Sequence, residues 1–239
     1  MCAFDRPAYA RVDVSGMATD EYRGYTREME ETNSIYGDQL SKLEEVRERL
    51  TGEIQLVREK MCNELGMDPV EHCLSRIKSE ESMREKCRRK GLPETTESAL
   101  EKIHDAIGIR VVCSFLSDVY VIRDHLAALP NVEVLEEKDY IRHAKPNGYR
   151  SYHMILSMPL RFLGNSEEHV WLEIQIRTIA MDCWASIEHQ LKYKQNIPNQ
   201  AFLVQELKRC ADEITSTDLS LQTIRDLIEH QENDIEDIE

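Results

Sequence analysis

The segment between residues 138 and 153 concentrates side chains that suit a nucleotide. Its sequence is KDYIRHAKPNGYRSYH, in which tyrosines are interleaved with basic residues. Cations suit phosphate oxygens, and an aromatic face suits a flat base. The central Pro-Asn-Gly predicts a turn that presents Tyr149 and Arg150 at the start of the next strand. A charged surface loop without a ligand is the alternative interpretation. The basic residues of the segment are Lys138, Arg142, His143, Lys145, Arg150 and His153.

A second basic cluster lies at residues 76–90. It holds seven basic and three acidic side chains, a net charge of +4 in a chain whose net charge is −15. Arg76 and Lys78 flank Ile77, so a short strand here places both cations on one face. Ser79 is a candidate N-cap for a helix whose acidic first turn and basic last turn suit the helix dipole. A solvated helix surface is the alternative.

Carboxylates stand beside two predicted strands. Asp105 directly precedes the strand that carries Arg110. The sequence HVWLEIQIRT alternates most sharply, which predicts one face in a core and one polar face. A solvated sheet face has this pattern, and so does a site built on a rigid sheet. Many cations with a few carboxylates suit nucleotide phosphates bound with magnesium. The polar residues of this strand include Glu173, Gln175 and Arg177.

The absence of several known motifs excludes some classes of phosphate-binding and hydrolytic sites. The sequence has no G-x-x-x-x-G-K-[ST], so a P-loop is not how phosphate would be bound, and it has neither G-x-S-x-G nor H-E-x-x-H. His104 and Asp105 form the dipeptide used by metal phosphohydrolases, but no further ligands stand at a suitable spacing. The residues alone therefore predict a nucleotide-handling domain.

Composition limits the partners and the compartment. The net charge of −15 argues against a broad surface for nucleic acid or anionic membrane, although a local basic cleft remains compatible with it. The seven cysteines are scattered without a C-x-x-C pair, which indicates reduced thiols in a cytoplasmic protein. No apolar run has the length of a membrane span, and charged residues interrupt the N-terminus where a signal peptide would be apolar.

Five segments have the length and alternation of β-strands. Their order among the predicted helices indicates an α+β fold. We expect a mixed sheet with helices over one face and helical extensions at both ends. Gly164-Asn165-Ser166 marks a turn before the last strand. The predicted strands are residues 75–78, 108–116, 132–140, 151–158 and 169–177.

Helix boundaries follow from local signals. Apolar residues spaced by three and four predict an amphipathic helix over 40–65 that ends at Gly66, and Asp68-Pro69 predicts the start of a short helix. Asp118 and Thr178 are candidate N-caps for two further helices. The last part of the chain is predicted to form two separate helices, at about 200–215 and 218–238.

Four ordered blocks resemble the synthetase domain of the RelA/SpoT family. They are RIK-x7-K at 76–86, DAIGIR at 105–110, KDYI-x3-KPNGYRSYH at 138–153 and EIQIRT-x-AMD-x-WA-x-x-EH at 173–189. The likeness spans about residues 70–195 and is greatest for the short members, the small alarmone synthetases. It implies a nucleotidyltransferase-like sheet. It also implies transfer of the β,γ-pyrophosphate of ATP to the 3′-hydroxyl of GDP or GTP, which gives ppGpp or pppGpp and AMP in the stringent response.

The resemblance also assigns roles on the ATP side. Arg76 and Arg110 correspond to residues that sandwich the adenine. Lys78 and Lys86 correspond to residues that bind the ATP phosphates. Asp105 corresponds to a magnesium ligand, so Mg²⁺ is the implied cofactor.

On the acceptor side, Glu173 corresponds to a second metal ligand or to the group that activates the 3′-hydroxyl. Tyr149 corresponds to the residue that stacks on guanine. Asp182 departs from the asparagine of some short members, which leaves a base contact there open. The residues implied to line the phosphate and ribose of the acceptor are Lys138, Lys145, Arg150, His153, Gln175 and Arg177.

Assembly is expected to involve the ends of the chain. The predicted helix at 40–65 and the C-terminal stretch each carry an apolar stripe, and we expect both to be buried against another copy. The resemblance implies a homotetramer formed through the terminal helices. The alternative is that both helices fold back on their own subunit. The expected division is a loose arm at 1–20, a helical region at 21–70, the synthetase core at 71–195 and oligomerisation helices at 196–239.

Two other functions remain open from the sequence. One is a nucleotide sensor without catalysis, although Asp105 and Glu173 argue against it. The other is the same transfer onto the 3′ end of tRNA, which the acidic composition disfavours.

Overall fold

The computed structural model describes most of the chain. The predicted arm at 1–20 and the predicted turn at Gly164-Asn165-Ser166 lie outside the described residues. The described ranges are 34–66, 68–159, 169–192 and 199–236.

Five strands form one mixed sheet, which confirms the predicted α+β class. The strand order is β1-β2-β5-β4-β3. β2 and β5 run parallel, and the other neighbours run antiparallel. This order places β5, the strand with the sharpest alternation, at the centre. The strands are β1 (Val70–Ile77), β2 (Ile107–Cys113), β3 (Glu133–Asp139), β4 (Tyr152–Pro159) and β5 (His169–Thr178).

The helices surround this sheet, and several of their ends follow the predicted signals. Ser79 accepts a hydrogen bond from the Ser82 amide, and Thr178 accepts one from the Met181 amide. Gly66 ends the first helix in the left-handed conformation, with φ of 67°. Short helices also occur at Gly37–Gln39 and Ser98–Lys102. The α-helices are α1 (Leu40–Leu65), α2 (Glu80–Lys90), α3 (Leu116–Ala127), α4 (Ile179–Lys192) and α5 (Gln200–Glu236).

The main core lies on one face of the sheet and includes the apolar stripe of α1. Leu43, Val46, Leu50 and Ile54 are at most 2% exposed. They join the aliphatic residues of the strands in one cluster. Full burial of such a side chain contributes about 1.5–3 kcal/mol. The expectation that this stripe is buried against another copy is therefore wrong, because α1 buries it within its own subunit.

Two predicted helix starts are also wrong. Asp68 does not start a helix: its carboxylate accepts a hydrogen bond from the Val70 amide and binds Arg58, and β1 begins at Val70. Pairing with β2 outweighs the local capping signal there. Asp118 lies within the first turn of α3, not at its N-cap, and accepts a hydrogen bond from the Phe115 amide.

The two predicted C-terminal helices are one continuous helix, α5. The sequence favours a break because Ser and Thr residues compete with the backbone for hydrogen bonds. Here the hydroxyls of Thr215, Thr217 and Ser220 donate to carbonyls four residues earlier, so they stay within the helical pattern.

Candidate functional site

The face of the sheet opposite the main core carries most of the predicted site residues. Arg110 on β2 is paired with Gln175 on β5, which is paired with His153 on β4 and, through it, with Lys138 on β3. Paired residues on neighbouring strands point to the same side of a sheet. Four strands therefore contribute to one polar row.

A second row of the same face forms the floor of an open cleft. In this row Arg76, Gly108 and Glu173 are paired across β1, β2 and β5. A side chain at Gly108 would meet no atom within 4 Å, so this glycine leaves open space between the cation and the carboxylate. The charged residues that line the cleft are Arg76, Lys78, Asp105, Arg110 and Glu173.

Asp105 is bound by two ammonium groups. Lys78 and Lys86 both donate to its Oδ2 atom, while Oδ1 is buried and has no hydrogen-bond partner. Burial acts to raise the pKa of Asp105, but the nearby lysines outweigh it and bring the pKa below its ordinary value. Burial lowers the pKa of Lys78 despite the attraction of Asp105. The two predicted phosphate-binding lysines thus converge on the predicted metal ligand.

The two arginines predicted to contact adenine lie on the neighbouring strands β1 and β2. Arg76 is exposed, while Arg110 is partly buried and its Nη1 lies 3.2 Å from Asp182 Oδ1. The Nε atom of Arg110 is buried without a hydrogen-bond partner. Sequence reasoning left the role of Asp182 open. Here the carboxylate of Asp182 also lies 3.1 Å from Nη1 of Arg177, so it joins two predicted site residues.

The loop between β3 and β4, residues 140–151 (the β3–β4 loop), contains the predicted turn. The Gly148 amide donates to the Lys145 carbonyl at 2.8 Å, and the Tyr149 amide donates to Asn147 Oδ1 at 3.2 Å. Gly148 has φ of +90°, and a Cβ atom on it would lie 2.6 Å from the Cβ of Ala211 on α5. Both the conformation and the close approach require glycine.

A second, smaller hydrophobic cluster supports this loop. Trp184 and Ala185 of α4 and Ala211 of α5 are buried in it, and Tyr149 packs against them. On the same helix as Trp184, Glu188 accepts a hydrogen bond from Asn147 Nδ2 at 3.0 Å. Sequence analysis missed this support. The spacing of residues 181, 184, 185 and 188 places them on one face of α4, and this pattern could have predicted a contact face there.

Five side chains form a closed hydrogen-bonded ring. Tyr149 Oη and His153 Nε2 are 2.8 Å apart, and His153 Nδ1 lies 3.0 Å from Glu173 Oε1. Gln175 donates to Glu173 Oε2 at 3.0 Å, and Arg177 donates to Gln175 Oε1 at 2.7 Å. Arg177 also donates to Tyr149 Oη at 2.6 Å, which closes the ring. We call this set the hydrogen-bonded ring.

The contacts of Glu173 determine the direction of the hydrogen bonds in the ring. Burial acts to raise the pKa of Glu173, but hydrogen bonds from His153 and Gln175 outweigh it and bring the pKa below its ordinary value. Ionised Glu173 only accepts, so Nδ1 of His153 carries a hydrogen. The Tyr149 oxygen accepts from Arg177, and its own hydrogen is directed to Nε2 of His153.

The three other predicted acceptor residues differ in their contacts with this ring. Lys145 Nζ lies 4.7 Å from the centre of the Tyr149 ring, a cation–π contact. Arg150 Nη1 donates to the carbonyl of Ile141, which holds this side chain within the β3–β4 loop. Lys138 pairs with Glu136 at 2.9 Å on the edge strand and is about half exposed. The structure thus places Lys145 against the aromatic ring of Tyr149, and Lys138 at the edge of the sheet.

The carboxylates of the cleft fit a magnesium ion. Asp105 and Glu173 face the same cleft, and Asp105 retains a buried oxygen without a partner. Magnesium prefers oxygen ligands and binds through one or two carboxylates together with substrate phosphates and water. No group of three His, Cys, Asp or Glu side chains that could hold a metal occurs among the described residues. His104, the other residue of the dipeptide used by metal phosphohydrolases, packs its ring on Trp171, with ring centroids 4.8 Å apart.

Among the described residues, no helix has both the length and the apolar composition needed to cross a membrane. The six cysteines within the described ranges are free.

Comparisons with known proteins found a matching family model and similar named proteins. A family model described as a region found in RelA / SpoT proteins matches residues 75–198. The GTP pyrophosphokinase YwaC of Bacillus subtilis is 49% identical over 149 residues, which cover 62% of this chain and 70% of the relative.

Crystal structures of two relatives have a similar fold. Small alarmone synthetase 2 from Bacillus subtilis is 38% identical with a TM-score of 0.69, and the match covers 79% of this chain and 97% of the other. Small alarmone synthetase 1 from the same organism, bound to its product pppGpp, is 33% identical with a TM-score of 0.71. That match covers 80% of this chain and 96% of the other.

Proposed function

The chain belongs to the RelA/SpoT family, and we propose that it is a GTP pyrophosphokinase. It transfers the β,γ-pyrophosphate of ATP to the 3′-hydroxyl of GDP or GTP and releases AMP. One observation carries this proposal: Glu173 on the central strand lies between a cation-rich cleft and the hydrogen-bonded ring that includes Tyr149. The relatives named as GTP pyrophosphokinase and small alarmone synthetase support the same activity.

ATP binds over β1 and β2. We propose that its adenine lies between the guanidinium groups of Arg76 and Arg110, which share one face of the sheet. Lys78 and Lys86 bind its phosphates. Phosphate oxygens then compete with Asp105 for the two ammonium groups, which frees the Asp105 carboxylate. Before ATP binds, Asp105 neutralises the two lysines. When ATP binds, its phosphates replace Asp105 as the partner of both ammonium groups.

GDP or GTP binds beside the ring. Tyr149 stacks on guanine, and its packing against the small cluster of α4 and α5 fixes the position of its ring. Lys145, Arg150 and His153 lie on the phosphate and ribose side. Two further residues of this side, Gln175 and Arg177, also order the ring, and Lys138 contributes charge from the edge strand.

The reaction needs alignment more than covalent chemistry from the protein. The 3′-oxygen attacks the β-phosphorus of ATP. The bond from that phosphorus to the oxygen bridging the α- and β-phosphates breaks, and AMP leaves with that oxygen. Glu173 receives the proton of the hydroxyl, because it is the ionised carboxylate on the guanine side of the cleft. The cations neutralise the transferred charge.

Asp105, with Glu173 across the cleft, would hold Mg²⁺. The ion, when bound, neutralises phosphate charge and aligns the pyrophosphate. The buried Asp105 oxygen without a partner supports this assignment. Removal of divalent ions by EDTA is expected to abolish transfer, and added MgCl₂ to restore it.

We propose further that the protein is a homotetramer assembled through residues 196–239, with residues 71–195 as the catalytic part. On α5, Leu219, Ile224, Leu227 and Ile228 are 52–58% exposed, and an apolar stripe of this kind is typical of a subunit interface. The alarmone product implies a role in the stringent response, and the free thiols suit the cytoplasm.

The assembly is tested by light scattering. The double variant Leu227→Glu and Ile228→Glu is expected to lower the molar mass at micromolar concentration. The control Ser216→Glu adds charge at an exposed polar position of the same helix. A wild-type protein that is already monomeric would contradict the proposed tetramer.

The activity is tested by one incubation with three acceptors. Labelled ATP is mixed with the protein and GDP, GTP or deacylated tRNA, and the products are separated. We expect a labelled guanine nucleotide and AMP with GDP or GTP, and no labelled tRNA. Labelled tRNA alone would indicate the alternative acceptor, and binding of both nucleotides without any product would indicate a sensor.

A further inference from the structure

Tyr149 takes part in two separate sets of contacts. Its ring lies in the small cluster formed with α4 and α5 and accepts the cation–π contact from Lys145. Its hydroxyl is a member of the hydrogen-bonded ring, with partners at 2.8 Å in His153 and 2.6 Å in Arg177. Stacking on a base requires only the aromatic face. The proposed function therefore assigns no role to the hydroxyl of Tyr149.

The hydroxyl is two hydrogen bonds away from the proposed catalytic carboxylate. Donation to His153 Nε2 fixes the rotation of the imidazole and requires the hydrogen on Nδ1. That nitrogen then donates to Glu173 Oε1 at 3.0 Å, while Gln175 holds the other oxygen. Glu173 is thus oriented at both oxygens, and one of the two contacts depends on Tyr149.

Arg177 makes the arrangement rigid. It is 4% exposed, and it donates to Tyr149, Gln175 and Asp182. Because a buried guanidinium retains its partners strongly, the Tyr149 oxygen and the Gln175 oxygen are held at fixed positions. Both arms of the ring that lead to Glu173 therefore start from one anchored residue.

We propose that Tyr149 is also a positioning residue, whose hydroxyl orients Glu173 through His153 so that Glu173 can receive the proton of the acceptor hydroxyl. This inference rests on the proposed function. It assigns the aromatic face of Tyr149 to guanine binding and its hydroxyl to the geometry of the reaction. His153 correspondingly orients Glu173 in addition to bordering the acceptor.

The variant Tyr149→Phe separates the two roles, because it keeps the aromatic face and removes the hydroxyl. We expect kcat to fall by about 10- to 100-fold, the range for a catalytic group that is misplaced by up to about 1 Å. KM for GDP and the Kd of an ATP analogue are expected to stay within about twofold of wild type. An unchanged kcat would overturn the proposal, and so would an equal loss in GDP binding.

Tyr140→Phe is the matched control. Tyr140 lies beside both residues, with its ring 6.1 Å from that of Tyr149 and 5.2 Å from that of His153. None of the hydrogen bonds found in the described part of the chain involves its hydroxyl. We expect this variant to keep wild-type kcat. A loss equal to that of Tyr149→Phe would mean that any hydroxyl in this loop has the same effect, which would overturn the proposal.

A second test uses His153. Asparagine places an amide near the position of Nδ1, so His153→Asn keeps a donor for Glu173 and loses the link to Tyr149. We expect it to retain more turnover than His153→Ala. Adding Tyr149→Phe to His153→Asn should reduce kcat no further, because the link is already broken. Full additivity would show that the hydroxyl acts independently of His153. A wild-type protein without transfer activity would instead contradict the proposed function itself.

Discussion

The two sides of the cleft are held in place by different physical means. The ATP side, formed by β1, α2 and β2, is built from cations that pair with Asp105, and its framework belongs to the main core. The guanine side, formed by the β3–β4 loop and β5, is built from the hydrogen-bonded ring and a small cluster with α4 and α5. Charge neutralisation tolerates small movements of flexible lysines, whereas a ring of short hydrogen bonds does not. We therefore expect the guanine side to be more sensitive to small structural changes.

The largest expected effect is at the carboxylates shared by the two sides. Asp105→Asn and Glu173→Gln are each expected to reduce transfer by at least about 100-fold, since each removes charge that positions the reacting groups. Product formation measures this effect, and thermal unfolding checks that each variant folds. Glu136→Gln is the matched control, because Glu136 lies on the same face at the edge strand. Near-normal turnover in Glu173→Gln would show that the assigned role is wrong.

The next effect tests the support from α5. In Gly148→Ala, the new methyl group would lie 2.6 Å from Ala211, so the β3–β4 loop must move. We expect KM for GDP to rise about tenfold and binding of an ATP analogue to stay near wild type.

Gly91→Ala separates backbone strain from this clash. Gly91 has φ of +68°, and a Cβ atom there would meet nothing within 4 Å. It should lower the unfolding midpoint through strain alone and leave KM for GDP unchanged. Equal effects of both variants on KM would contradict the role of the contact with α5.

Stacking is tested by Tyr149→Ala. We expect GDP binding to weaken by about 1–3 kcal/mol, the usual contribution of base–aromatic stacking. Calorimetry with GDP and with an ATP analogue compares the two sides directly. An equal loss for both nucleotides would show that Tyr149 supports the fold of the whole cleft instead.

The smallest effect is expected at Asp182, where the two sides touch. Its carboxylate lies 3.2 Å from Arg110 and 3.1 Å from Arg177. Asp182→Asn keeps the shape and removes the charge, so we expect KM to rise by a few-fold for both ATP and GDP. A rise for only one nucleotide would restrict the role of Asp182 to one side.

The sequence predicted elements whose signals are local. Four of the five strands follow from alternation, whereas β1 begins at Val70, five residues before the predicted strand. Ser79 and Gly66 mark helix ends through their own backbone interactions. Predictions failed where a distant partner decides the outcome. Asp68 binds Arg58 and leads into a strand that pairs with β2, and α1 buries its stripe on its own sheet. Local patterns contain no information about such partners.

The site shows the same division. Residue types and spacing predicted a cation cluster, two carboxylates and a tyrosine turn. They did not predict that Gly148 contacts Ala211 or that Glu188 binds Asn147, because these pairs are separated by 41 residues or more along the chain. The hydrogen-bonded ring joins β4 to β5, so it exists only once the sheet has formed.

The position of the label after transfer tests the central claim most directly. The protein is incubated with GDP and ATP labelled either in the α- or in the γ-phosphate, and the products are separated. If the cleft aligns the 3′-hydroxyl with the β-phosphorus, the γ label enters a guanine product that carries an added pyrophosphate, and the α label appears in AMP. Formation of ADP with a singly phosphorylated guanine product, or release of the γ label as free phosphate, would contradict the account.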